Sequence, residues 1–147
     1  MESVEENEDR EYWVARLLDG YFNLWVEVEF VAPLLSVVNR MPLPALKQLI
    51  DKEPVLFAPE PNIGGRVYPA PSPGFAGRFI VYFSPDLLSR PQAYIEAVIA
   101  HEFAHLVLGH DEIPCQDARE RALEDEKVAD ELAESWGFKI PPELKRY

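Results

Sequence analysis

The sequence predicts an α+β fold in a single domain. Apolar residues recur at helical spacing towards both ends of the chain, whereas the middle third holds short β-rich segments between prolines and glycines. The chain has 147 residues, 48% of them hydrophobic, which is enough for one sizeable core. We therefore expect an acidic tail at residues 1–9, followed by one domain over residues 10–147.

The first third of the chain reads mainly as helix. A short amphipathic helix is predicted from about Arg10 to Leu18 by the spacing of its apolar residues. Residues 21–38 alternate in part like a strand but also carry a helical stripe, and we favour a helix that tolerates Pro33 near a break. A turn then leads into a short helix from about Pro44 to Asp51.

The middle third has a different character, because prolines and glycines divide it into short segments. Strands are predicted at three places: Val55–Ala58, Arg66–Tyr68 and Arg78–Phe83. The last of these is the best strand in the chain by β propensity, since aromatic and β-branched residues dominate it.

The final third predicts two long helices. The segment from Ser89 to Gln92 has the form of a capping box, and the helix behind it is apolar on most sides, which indicates a central position. Gly109 is well placed to end this helix. A second helix is predicted from Asp117 to Trp136, with Gly137 as its C-terminal stop.

Charge and composition exclude several classes of function. A net charge of −12 argues against a nucleic-acid partner, because phosphate binding needs clustered Lys and Arg. The single cysteine, Cys115, excludes an intrachain disulfide. The N-terminus is acidic where a signal peptide would be basic and then apolar, and no apolar run is long enough to span a membrane. We expect a cytoplasmic protein that binds no membrane.

The segment 101–105, His-Glu-Phe-Ala-His, is the strongest functional signal in the chain. Positions i and i+4 of a helix share one face, so His101 and His105 can reach a single metal ion. Glu102 points to the side of that face, where it can act as a general base. Two buried imidazoles without partners would be costly, and a metal ion would satisfy both.

A catalytic zinc site usually takes a third protein ligand, and three residues are candidates. We favour Glu126, the one charged residue on a stripe of small and apolar residues along the second helix. The alternatives are His110 and Asp111, which lie just past the end of the first helix. Asp130 follows Glu126 by one turn, where it could accept a hydrogen bond from a ligand histidine and fix its tautomer.

Together, H-E-x-x-H at 101–105 and Glu-Lys-Val-Ala-Asp at 126–130 resemble the gluzincin pattern of zincin metallopeptidases. The motifs resemble those of membrane-bound CaaX-processing peptidases, and the size resembles minigluzincins and ImmA/IrrE-like metalloproteases. The resemblance implies a zincin-like domain, with a small mixed β-sheet packed on the active-site helix and the glutamate helix. Arg78–Phe83 would then lie near the cleft. It also implies a zinc ion and a peptide or protein substrate, hydrolysed with Glu102 as the general base.

The chain departs from larger gluzincins in its possible oxyanion partner. Those proteins often place a His or Tyr downstream of the ligand glutamate, and here only Tyr147 follows Glu126. His110, Tyr68 or Tyr82 are the alternatives for that role. This departure motivates a second hypothesis, a zincin-like regulatory or binding module with little or no turnover.

Overall fold

The structure is a computed structural model in which part of the chain is described. The backbone is described for residues 4–18, 24–25, 28–52, 55–57, 65–69, 79–83, 87, 89–109 and 118–145. Side chains are described for residues 9–17, 30–52, 87, 89–109 and 123–145.

Five α-helices make up most of the described backbone. They are α1 (Val4–Leu18), α2 (Val28–Arg40), α3 (Leu43–Asp51), α4 (Gln92–Leu108) and α5 (Ala118–Ser135), followed by a short 3₁₀ turn at Pro142–Leu144. Of the helices that the structure describes, none is both long and apolar enough to cross a membrane.

The predicted helices are confirmed, with differences at their ends. Residues 21–38, for which a helix was favoured, contain a two-residue strand at Leu24–Trp25 and a helix that begins only at Val28 and includes Pro33. Helix α1 begins at Val4, six residues before the expected start; the division at residue 9 into tail and domain stays a prediction. The capping box was wrong, because α4 begins after Pro91 and has no side-chain cap.

Two glycines end α4 and α5 as expected. Gly109 follows α4 with φ of 73°, and Gly137 follows α5 with φ of 98°. Residues other than glycine rarely adopt this left-handed backbone conformation, so each glycine lets the chain leave its helix without steric strain. Both stops, predicted from the sequence, are confirmed.

Four short strands pair in the order β1-β2-β4-β3. They are β1 (Leu24–Trp25), β2 (Val55–Phe57), β3 (Gly65–Pro69) and β4 (Phe79–Phe83). β1 runs parallel to β2 and β2 parallel to β4, whereas β3 is antiparallel to β4 with Val67 opposite Val81. Each strand has only two to five residues, because prolines and glycines interrupt this part of the sequence.

The expected α+β zincin-like fold, with a small mixed β-sheet packed on the active-site helix and the glutamate helix, was wrong for the described residues. Wherever side chains are described, the core is helical: its buried residues come from α1 to α5 and from short segments beside them. Helix α4 packs between α2, α3 and α5, and the sheet approaches it through the backbone of β3. The described core is therefore helical, because the apolar faces of the helices pack against one another.

Arg40, at the end of α2, contacts both α4 and the segment that follows α5. Its Nη2 donates to the carbonyl of Gly137, just after α5, and its Nη1 lies 4.0 Å from Oε1 of Glu96 on α4. The guanidinium stacks 3.9 Å from the centroid of the Phe138 ring, and Ser36 donates to the same Glu96 carboxylate. One side chain thus connects α2, α4 and the segment that follows α5.

Replacing Arg40 by Met should destabilise the fold by about 1–2 kcal/mol. The methionine keeps an apolar stem over Phe138 but loses the hydrogen bond to Gly137 and the charge beside Glu96, and partial exposure reduces the effect. Denaturant unfolding measures the change. Lys47→Met is the matched control, because it removes a surface ion pair with Asp9 that should contribute under about 1 kcal/mol. Equal losses in the two variants would contradict the connecting role.

Candidate metal centre

Helices α4 and α5 pack against each other and supply every described residue of the site. Three residues of the small and apolar stripe along the second of these helices are buried: Ala129 and Ala133 fully, and Trp136 almost fully. Because alanine side chains are short, α5 can approach α4 closely along this stripe. The close approach brings a carboxylate from α5 to the histidines of α4.

Three side chains converge on one point between the two helices. Nε2 of His101 lies 2.7 Å from Oε2 of Glu126, and Nε2 of His105 lies 3.2 Å from Oε1 of the same carboxylate. The two imidazole nitrogens are 3.1 Å apart. One ligand atom from each residue lies within 4.8 Å of the others, so the group could hold a metal ion.

Asp130 lies behind His101, on the side away from the converging atoms. Its Oδ1 is 2.7 Å from Nδ1 of His101, and the residue is 1% exposed. A carboxylate can only accept, so Nδ1 carries the proton of this hydrogen bond. The hydrogen bond orients the ring and directs Nε2 towards His105 and Glu126.

The environment of His101 favours its protonated form when no metal is bound. Burial alone would lower the pKa of His101, but the hydrogen bond with Glu126 and the neighbouring carboxylate charges outweigh it and raise the pKa from 6.5 to about 9. Burial also disfavours the charged form of Glu126 and would raise its pKa. The hydrogen bonds with His101 and His105 outweigh this effect and hold the pKa of Glu126 well below its usual range. Without a metal, an imidazolium and a carboxylate thus face each other.

The metal-free protein should lose stability as the pH rises from about 6.5 to about 9. The pKa of His101 is higher in the folded protein than the ordinary value of 6.5, which holds in the unfolded chain. Protonated His101 therefore contributes fully to the free energy of unfolding below pH 6.5, and this contribution is lost as the pH rises through about 9. Glu126 adds no slope in this window, because its pKa is lowered and it stays ionised. Thermal unfolding of chelator-treated protein at stepped pH measures the effect. His101→Gln should flatten the profile, and a melting temperature that rises across the window would contradict the expectation.

Glu102 follows the first histidine on α4 and is only 7% exposed. Its negative charge is close enough to His101 to contribute to the raised pKa of that ring. Glu102 thus adjoins His101 on α4 but does not belong to the group of converging residues.

Several residues considered from the sequence lie outside the described part. They are the alternative third ligands His110 and Asp111, and the side chains of Tyr68 and Tyr82, which were considered as oxyanion partners. The contribution of Arg40 could not be expected from the sequence, since a lone arginine at the end of a helix carries no motif. Motif spacing likewise does not predict that one carboxylate faces both histidines, one oxygen to each ring.

Comparison with protein-family models, with curated proteins and with solved structures finds no match to this chain. The resemblance to gluzincins therefore rests on the two short motifs and on the group that they form. What the structure supports is a cluster of two histidines and a glutamate that could bind a metal ion.

Proposed function

We propose that this protein is a zinc-dependent metallopeptidase. One observation carries the proposal: His101, His105 and Glu126 converge with their ligand atoms on a single point, and Asp130 orients the first histidine from behind. Two histidines and a glutamate are a ligand set typical of catalytic zinc, and such sites leave a fourth position for a substrate or solvent molecule.

The donor set supports zinc as the metal, because two imidazoles and a carboxylate are ligands that zinc takes. The two histidine nitrogens are 3.1 Å apart, and each faces a different oxygen of the Glu126 carboxylate, at 2.7 and 3.2 Å. Nitrogen and carboxylate donors also argue against calcium and magnesium, which prefer oxygen ligands alone.

The residues of the chain would divide the chemistry among them. A zinc ion in such a site supplies Lewis-acid polarisation of a substrate carbonyl and lowers the pKa of a water molecule. His101, His105 and Glu126 would hold the ion, and the Asp130 carboxylate keeps the His101 ring in the tautomer that presents Nε2. Glu102 accepts a proton from the attacking water and passes it to the leaving amine.

A peptide or protein is the proposed substrate class, with no role for nucleic acid or membrane. Amide hydrolysis requires a general base next to the polarised carbonyl, and Glu102 offers a carboxylate whose charge acts on His101. The net charge of −12 repels polyanions and is compatible with neutral or basic peptides.

Incubation with a mixture of peptides from a protein digest tests this function. Mass spectrometry should show new termini with the zinc-supplemented protein, and a chelator should abolish them. Readdition of zinc should restore cleavage. Cleavage that persists in chelator would contradict a metal-dependent mechanism, and an intact digest at full zinc occupancy would contradict the peptidase proposal.

A second candidate is a metal-binding regulatory module that turns over little or no substrate. The burial of Glu102 favours it, because a general base must reach the water molecule that it activates. The same digest separates the two candidates: retention of peptides without new termini, at full zinc occupancy, would favour the module.

A further inference from the structure

The contacts between α4 and α5 define an antiparallel register. His101 of α4 contacts Asp130 of α5, and His105 of α4 contacts Glu126 of α5. Between the two pairs the chain advances four residues along α4 and goes back four residues along α5. Continued by one further turn, this register pairs Leu108 with Leu123. Leu108 lies three residues after His105, and Leu123 lies three before Glu126, so each shares a helix face with a residue of the site.

Both leucines are exposed, although they adjoin a largely buried site. Leu108 is 37% exposed and Leu123 is 40% exposed, whereas the His105 side chain beside them is mostly covered. Glu126, at 30%, is the most exposed of the three converging side chains. The centre is thus most open at Glu126, on whose helix face Leu123 lies.

We infer that Leu108 and Leu123 form an apolar subsite that receives the side chain of a substrate residue flanking the scissile bond. This inference rests on the proposed function and assigns its substrate class: peptides with a leucine-sized apolar residue at that position. An apolar side chain laid against two exposed leucines removes apolar surface of both partners from water, which favours binding. Continuity with the metal centre distinguishes this pair from the other exposed apolar residues.

The charges around the pair narrow the substrate class further. Glu124 follows Leu123 directly, is exposed and is not one of the proposed ligands. Its carboxylate repels acidic residues, so the preferred peptides carry neutral or basic residues next to the apolar one.

Val128 offers a matched control for this subsite. It is 36% exposed on the same helix as Leu123, but it lies two residues after Glu126 and therefore on another face. A change there alters exposed apolar surface equally without touching the proposed subsite.

Methyl-labelled NMR tests binding apart from catalysis. The zinc-supplemented Glu102→Gln variant is titrated with the blocked pentapeptide Gly-Gly-Leu-Gly-Gly and with its counterpart that carries serine in place of leucine. We expect the methyl signals of Leu108 and Leu123 to shift while those of Val128 do not, and the leucine peptide to bind about 10-fold more tightly. Leu108→Ser and Leu123→Ser should remove the preference, Leu108→Met should keep it, and Val128→Ser should leave it unchanged.

Cleavage of the same two peptides by the parent protein separates the outcomes. Leucine shifts with preferential cleavage support both the subsite and the peptidase. Leucine shifts without cleavage support the subsite and overturn the peptidase. Cleavage without leucine shifts, or with equal rates for both peptides, overturns the subsite and leaves the peptidase standing. Neither shifts nor cleavage overturns both.

Discussion

Replacing Glu102 by Gln should leave the zinc bound and lower turnover by about 100-fold to 10,000-fold. Glutamine is nearly isosteric with glutamate, so the packing of α4 around this buried position is retained. Its amide cannot accept a proton at neutral pH, and the step that activates water is lost. Steady-state cleavage of a peptide identified from the digest gives the rate, and elemental analysis of the same sample gives the zinc content.

Glu131→Gln is the matched control for this variant. It makes the same chemical change at an exposed glutamate on α5, where no role in binding or proton transfer is proposed. Its turnover should stay within about two-fold of the parent. Undiminished hydrolysis by Glu102→Gln, at equal zinc content, would show that Glu102 is not the general base and that another group activates the water.

Replacing Glu126 by Ala should reduce zinc affinity by at least about 1,000-fold, the largest binding effect that we expect. Among the described residues, Glu126 is the one carboxylate that faces both histidines, so the variant leaves only the two imidazoles of this group as ligands. Competition with a chromophoric chelator measures the dissociation constant. Circular dichroism of the metal-free variant shows whether α5 stays folded.

Two further variants on α5, Asp130→Asn and Glu131→Gln, serve as comparisons for the loss of zinc affinity in Glu126→Ala. The Asp130 variant keeps all three converging side chains but weakens the hydrogen bond that orients His101, so a 10-fold to 100-fold loss of affinity is expected. Glu131→Gln changes an exposed glutamate on the same helix and should have no effect. Full zinc affinity in Glu126→Ala would exclude Glu126 as a ligand and favour His110 or Asp111.

The sequence was most informative where local rules decide the structure. The spacing of His101 and His105 requires one helix face, and the alanine stripe on α5 indicates which face approaches α4. From these patterns alone, Glu126 could be selected over two residues that lie nearer in sequence. Gly109 and Gly137 ended their helices as expected, because few other residues adopt a left-handed conformation.

The fold class could not be predicted in the same way. Propensity locates short strands, but it does not say which layer they pack against, and the described core proved to be helical. The capping box failed because a match to a four-residue pattern does not ensure that the chain turns there, and the helix begins after Pro91 instead. Arg40 connects residues 56 and 97 positions away in the chain, and no local pattern indicates such a contact.

Metal content is the measurement that tests the central claim most directly. Elemental analysis of the protein after zinc supplementation and desalting, beside a His101→Ala variant, should find about one zinc per chain in the parent and almost none in the variant. Zinc retained in His101→Ala would exclude His101 as a ligand and contradict the proposed ligand set. A parent that binds no zinc after supplementation would contradict the metal site and, with it, the proposed peptidase.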